Sequence, residues 1–541
     1  MPEIYDYIIV GAGSSGCVMA GRLSENPRNR ILVIEAGGRD SSPFVTMPKG
    51  IAKLVSDPAH TWFYNVAQPR LPGAPPSEVW IRGRVLGGSS SINGMIWSRG
   101  QPADYDAWEA MGATGWNWQS MKAAFRSVED HALGDDGTRG VGGPVKITPG
   151  TYRYPLTEDM MRAGEQMGLP RHQDDLNRED LEGIGFYAHN IHKGRRQSSA
   201  KTFLEPAVRR GNVRVVTGAT VEKVLFEGNR ATGVRLTRNG RTEDFNCTGE
   251  VIVSGGTIES PKLLQRSGIG NGEHLRAAGV AVVAESPDVG QHMREHLCFS
   301  VPHRLKPGHG SINRQYFGVR LALNVARYFL TRTGPLASGP FEIGGFAKSR
   351  PHLARPDLQL FLGAYNFALG DDQFPVPLAN IDKQPGITVY GQLSQLTSEG
   401  TVAIVAPDAA SPATISPNWL STNEDVEAAL GSIRVMRQLM AQPALAQHIE
   451  SELVPGAHVQ SDEDLLQYYR ALSTSGLHGT GTCRMGSDER AVVDPHCRVR
   501  GVQGLRVIDC SVMPGLVTGN TNAPAMAAAW HLADLMKTEA A

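Results

Sequence analysis

A chain that begins with the apolar run Asp6-Tyr7-Ile8-Ile9-Val10, turns through Gly11-Ala12-Gly13-Ser14-Ser15-Gly16 and continues with Val18, Met19, Ala20 and Leu23 at helical spacing has few folds open to it. After a polar turn at Asn26-Pro27-Arg28-Asn29, Arg30-Ile31-Leu32-Val33-Ile34 reads as a second buried strand ending at Glu35. The unit is βαβ. Gly11 permits the tight turn, Gly13 lets the backbone approach a pyrophosphate, and Gly16 lets helix and strand pack closely. The helix N-terminus, where Ser14 and Ser15 sit, offers free N–H groups and the positive end of a dipole to phosphates. Glu35 lies 19 residues beyond Gly16 and is followed by Ala36. An acid there accepts hydrogen bonds from adenosine ribose hydroxyls and disfavours a 2'-phosphate. The bland alternative is a glycine turn joining any strand to any helix, but strand, helix and terminal acid agree on a dinucleotide site, open to FAD and NAD alike.

At roughly 150 residues per domain, 541 residues amount to between three and four domain-equivalents, enough for a large enzyme. Apolar residues at 41% and charged residues at 20% describe a folded globular chain rather than a disordered or fibrous one. A formal charge of -1 gives no global attraction to nucleic acid or to an anionic membrane, which leaves only local patches. Glycine, 61 of 541 residues, is about 11% against a usual ~7%, implying many tight turns. Six scattered cysteines without a CxxC pair indicate neither a disulfide scaffold nor a zinc site, and a reducing, cytoplasmic setting is expected. No signal peptide and no membrane-spanning segment are expected, and a peripheral membrane contact stays open.

Two further stretches narrow the choice. Gly83-Arg84-Val85-Leu86-Gly87-Gly88-Ser89-Ser90-Ser91-Ile92-Asn93-Gly94 runs on to Gly100 as a second turn of small residues that lets backbone N–H groups reach a ligand. Gly255-Gly256-Thr257-Ile258-Glu259-Ser260-Pro261 runs on to Gly270 and follows the strand Val251-Ile252-Val253, with Pro261 suited to the first turn of a helix and Gly268 to its C-terminal cap. Together they resemble the two signature motifs of the glucose-methanol-choline (GMC) family of FAD-dependent oxidoreductases, in its bacterial choline- and alcohol-dehydrogenase-like branch. The likeness continues through Gly194-Arg195-Arg196-Gln197-Ser198-Ser199, through Phe203-Leu204-Glu205-Pro206 and from Ser475 to Met536.

The resemblance implies an α/β fold (α+β overall). Segments 1–150, 191–300 and 471–541 would form a Rossmann-like FAD-binding domain, and 151–190 and 301–470 a discontinuous substrate-binding domain on an antiparallel sheet. The residues themselves suggest strands at 357–362, 386–391 and 400–405. By the same resemblance, Gly88, Asn93 and Gly94 lie near the pyrophosphate and flavin, Val221 beside the adenine, and Asn520 and Thr521 along the flavin ring. Some relatives attach FAD through a histidine just before the Asn93 position; Ile92 stands there, so noncovalent FAD is expected.

For catalysis, the family's substrate-side residues fall on His478, in Ser475-Gly476-Leu477-His478-Gly479-Thr480-Gly481, and on Asn520. Oxidising an alcohol removes a hydroxyl proton while the carbon-bound hydrogen leaves as hydride to flavin N5. His478 is the expected general base. Asn520 cannot titrate and is expected to hold the substrate oxygen. His189, His192, His292, His296 and His496 have no comparable setting. His292-Met293-Arg294-Glu295-His296 resembles half a zinc site without a third ligand, so no metal is expected. Cys483 reads as a packing residue.

The helical stretch 318–330, apolar with interspersed arginines, reads as a substrate-domain helix with one buried face, with a lid or a membrane-surface patch as alternatives. The expected activity is oxidation of a small-molecule alcohol, primary to aldehyde, with electrons passed to a quinone or dye-like acceptor. The alternatives are an oxidase using O2 and releasing H2O2, a hydroxynitrile lyase-like enzyme, and a non-catalytic flavoprotein. A neutral alcohol is favoured over choline.

Overall fold

Strand β1 (Ile4–Val10) is buried between two parallel partners, which is why its second half is an unbroken apolar run. On one side it pairs with β2 (Ile31–Glu35) and on the other with the end of the long strand Arg241–Val253. The register sets Val10 opposite both Ile34 and Val253, so three strand ends are level where the Gly11–Gly13 turn leaves the sheet. Val213–Thr217 adds beyond β2 and Leu505–Val507 beyond Arg241–Val253, both parallel. The computed structural model describes residues 4–67, 77–369 and 380–540.

Helix α1 (Ser14–Leu23) follows the turn, and the C-terminal helix Asn522–Ala540 packs along it. Ser14 Oγ donates to Asn522 Oδ1 at 2.8 Å and Ser15 Oγ to the Ala525 carbonyl at 3.1 Å. The two ends of the chain therefore meet at the dinucleotide turn.

A second sheet is mostly antiparallel and runs in the order 449–452, 297–305, 386–393, 358–363, 343–347, 183–186, 171–172. Because side chains alternate along a strand, Ile387, Val389 and Leu393, with Leu358, Leu360 and Leu362, join one core, which the helix Asn423–Met440 completes through Ile433, Met436 and Leu439. The intervening Tyr390, Gln392, Gln359 and Phe361 face the other way. The overall fold is mixed α/β, with a Rossmann-like sheet that is parallel around β1 and antiparallel at one edge, and a second, mostly antiparallel sheet.

Two expectations need adjustment. The third predicted strand is present as Thr401–Ala403 but pairs with Thr414–Ser416, apart from the large sheet. Pro261 lies inside the helix Gly256–Arg266 rather than in its first turn, so it removes one rung of the ladder; Gly268, at φ +86°, ends that helix as expected. His292 and His296 are not on a helix, and His292 is held between Glu399 at 2.7 Å and Asp288 at 3.0 Å instead of pairing with His296. Among the described residues no helix is long and apolar enough to cross a membrane.

Candidate active site

A cavity of about 500 Å³ runs from the first glycine turn to the second sheet. Of the residues expected to hold a dinucleotide, Gly11, Gly13, Ser14, Ser15, Glu35, Ala36, Gly88, Asn93, Gly94, Val221, Asn520 and Thr521 all line it. Gly16 faces inward: a Cβ there would lie 1.9 Å from the Gly11 carbonyl oxygen, so it serves helix-strand packing. A Cβ on Gly11 would lie 2.4 Å from the Ser254 carbonyl and one on Gly88 2.7 Å from Gly13 Cα, whereas at Gly13 the nearest atom is 3.9 Å away. The cradle is thus closed by backbone on its protein side and open only towards the cavity. Two buried polar atoms on its wall, Ser254 Oγ and Asn522 Nδ2, have no partner among the described residues, as suits a wall that receives a polar ligand.

Glu35 accepts from the Ala12 and Gly37 amides at 2.9 and 2.8 Å, and burial pushes its carboxyl up to about 7 against the pull of those N–H groups. The third family-like stretch clamps the two glycine loops together. Ser199 Oγ lies 2.9 Å from Ser90 Oγ and donates to the Gly13 carbonyl at 3.2 Å, while Arg196 Nη1 donates to Asn93 Oδ1 at 2.6 Å. Ile92 lines the cavity with hydrocarbon alone.

At the far end His478 and Asn520 meet: Asn520 Nδ2 donates to His478 Nε2 at 3.2 Å. With Nε2 accepting, the proton of His478 sits on Nδ1, 3.1 Å from Nδ1 of His296. His296 Nδ1 also accepts from Gln392 Nε2 at 3.1 Å; Gln392 Nε2 donates to Gln359 Oε1 at 3.0 Å, and Gln359 Nε2 donates to Asn520 Oδ1 at 3.2 Å. These five side chains close a ring. The register explains the glutamines, since Cys298, Gln392 and Gln359 are direct cross-strand neighbours on one face. His296, which had no distinguishing setting in the sequence, stands in contact with the expected base.

The loop carrying His478 is tied down on all sides. Glu295 Oε1 accepts from the His478 amide at 2.6 Å, and Arg82 lies 3.3 Å from Oε2. Thr257 Oγ1 donates to the Gly479 carbonyl at 2.5 Å. The rung removed by Pro261 frees the Thr257 carbonyl, and Thr482 Oγ1 donates to it at 2.7 Å. Leu477 is held at φ +63°, a left-handed conformation costing about 1–2 kcal/mol outside glycine.

Burial is the main cause holding the His478 pKa well below 6.5, with His296 and Arg82 adding to it, and burial lowers His296 to about 3. Both imidazoles are neutral at ordinary pH. Glu295 is pushed up to about 7, again by burial. Cys483 is buried and its thiol raised well above its usual range, in keeping with packing. The cavity lining also includes Phe341, Phe361, Phe367, Tyr390 and Cys298.

A dinucleotide cradle joined by one cavity to a neutral imidazole and an amide defines the class of flavin- or nicotinamide-dependent oxidoreductases. Comparison with known proteins selects within it. The GMC oxidoreductase family profiles match residues 5–298 and 397–529. Mitochondrial choline dehydrogenase of Homo sapiens is 37% identical over 99% of this chain and 90% of its own length. Alcohol dehydrogenase [acceptor] of Pseudomonas putida is 36% identical over 98% of this chain and 96% of its own. A solved structure of formate oxidase from Aspergillus oryzae, concerned with modification of its FAD, aligns with a TM-score of 0.91 at 26% identity, covering 100% of this chain and 99% of that one. The chain belongs to the GMC oxidoreductase family. It is an FAD-dependent oxidoreductase acting on CH–OH groups, and FAD is its cofactor.

Proposed function

We propose that the protein oxidises a neutral, apolar-tailed primary alcohol to its aldehyde, with His478 taking the hydroxyl proton. The observation that carries this reading is the closed ring, which leaves the Nε2 lone pair of His478 beside the Asn520 amide on the cavity wall. A substrate hydroxyl entering between them donates to His478 Nε2, while the Asn520 N–H groups donate to the substrate oxygen as it becomes an alkoxide. Asn520 is oriented for this because Gln359 holds its Oδ1. His296 Nδ1 accepts the Nδ1–H of His478 before and after the proton moves, so the imidazolium keeps a partner.

The glycine turns, Glu35, Val221 and Thr521 would hold FAD, with no nucleophilic atom at Ile92 to bond it, and the cofactor would supply the acceptor for the carbon-bound hydrogen and its electron pair. Among the described residues the cavity lining includes Phe341, Phe361, Phe367 and Tyr390, apolar surface that suits an alcohol with an apolar tail. The acceptor that reoxidises the enzyme is read as a quinone or dye-like molecule rather than nicotinamide, in line with the P. putida relative's name.

The test is anaerobic mixing of the yellow protein with a panel of alcohols. Bleaching of the flavin absorbance with aldehyde formation is expected, and His478→Ala should slow it by about 10²–10⁴-fold while flavin stays bound. A His478→Ala protein that bleaches at the parent rate removes His478 from the role. Unchanged colour with release of aldehyde and cyanide from a cyanohydrin replaces oxidation by the lyase reading.

A further inference from the structure

The helix Gly318–Thr331 forms as the sequence spacing suggests, but with its apolar face turned outward. Its side towards the protein is carried by Asn324 and Tyr328, both buried, and by half-buried Leu321 and Val325. Val319, Ala322, Leu323, Ala326, Phe329 and Leu330 form a continuous exposed stripe; Val319 is 76% exposed, Leu323 64% and Leu330 84%. This reverses the usual amphipathic arrangement, and a stripe of large apolar residues in water marks a contact surface.

Along this part of the chain the charge has one sign. From Leu297 to Phe341 the chain contains no Asp or Glu, and the helix carries Arg320 and Arg327 exposed on its flank with Arg332 at its end. The turn holding exposed Lys193 and Arg195 abuts the same end, where Tyr328 Oη donates to the Gly194 carbonyl at 3.0 Å. Two copies of this face brought together would oppose arginine to arginine. An anionic lipid surface neutralises the rim and takes up the apolar stripe at the boundary between headgroups and acyl chains.

We propose that this helix docks the protein on the surface of an anionic bilayer, lying in the interfacial plane without crossing it. The helix rests on the 335–337 turn through Tyr328 and Leu336, and that stretch runs on to Pro340 and Phe341 in the cavity wall, so the docking face and the substrate cavity share one segment of chain.

The experiment is flotation of the FAD-loaded full-length protein with vesicles of phosphatidylcholine, with and without one third phosphatidylglycerol. Binding to the anionic vesicles that declines with salt is expected. Leu323→Gln with Leu330→Gln should lower it on the order of tenfold or more, and Arg320→Glu with Arg327→Glu should abolish the preference for phosphatidylglycerol. Flavin content and the anaerobic reduction rate should match the parent in both variants. Absence of flotation with either vesicle, or equal flotation of the double-leucine variant, overturns the proposal. So does a dimer, seen by light scattering, that the leucine substitutions dissolve, which would assign the stripe to a second copy of the chain.

Discussion

His296 stands behind His478 as an acceptor without a charge. Since burial holds its pKa at about 3, it remains neutral at any working pH and keeps its Nδ1 lone pair for the neighbouring N–H. His296→Leu would leave the N–H groups of His478 and Gln392 buried without an acceptor, at about 1–3 kcal/mol each, and is expected to slow anaerobic flavin reduction by about 10–100-fold. His296→Gln returns a carbonyl and should recover most of the rate; a residue that only fills space would not distinguish the two. Stability gives a second readout. A histidine depressed from 6.5 contributes stability that is complete above pH 6.5 and is lost as pH falls towards about 3, because the unfolded chain binds a proton the folded one refuses. Glutamine does not titrate, so the gap in melting temperature between the parent and His296→Gln should narrow as pH drops below 6.5. The sequence pointed to His478 and Asn520 because small residues and a familiar motif surround them. Gln359 and Gln392 were hidden because their importance comes from strand register, and His296 because it gains its partner only in the fold; the trace the glutamines left was their place on two largely apolar, buried strands.

At the scale of elements, the base is positioned by a defect. Pro261 breaks one rung of the helix Gly256–Arg266, and the released Thr257 carbonyl receives the Thr482 hydroxyl. Thr482→Val leaves that carbonyl buried and unpartnered; a loss of about 1–3 kcal/mol, read as a lower denaturant midpoint, and slower flavin reduction are expected. The two glycine loops are joined as tightly. Gly88 has φ +51° and its Cβ position lies 2.7 Å from Gly13 Cα, so Gly88→Ala should give a protein that purifies without its yellow colour. The βαβ unit was plain in the sequence because each of its glycines answers one steric demand. Pro261 was read as a helix start because proline favours that position, and the hydroxyl that accepts its interior placement lies more than two hundred residues away.

Taken whole, the molecule has two large apolar cores, one around the parallel sheet and one behind the antiparallel sheet, with the cavity walls drawn from both. A ligand spanning that cavity couples them. Calorimetry should resolve two transitions for the flavin-stripped protein, merging into one at higher temperature when FAD is restored. The antiparallel sheet also divides its work by the pleat. Gln359 and Gln392 serve the ring, while Phe361 and Tyr390, two residues along the same strands, line the cavity and pack on Phe341. A lineage or a mutant library can therefore exchange aromatic bulk at 361 and 390 to admit new alcohols and leave the proton-handling apparatus intact, so catalytic competence and substrate choice can drift independently on adjacent pleats of one sheet.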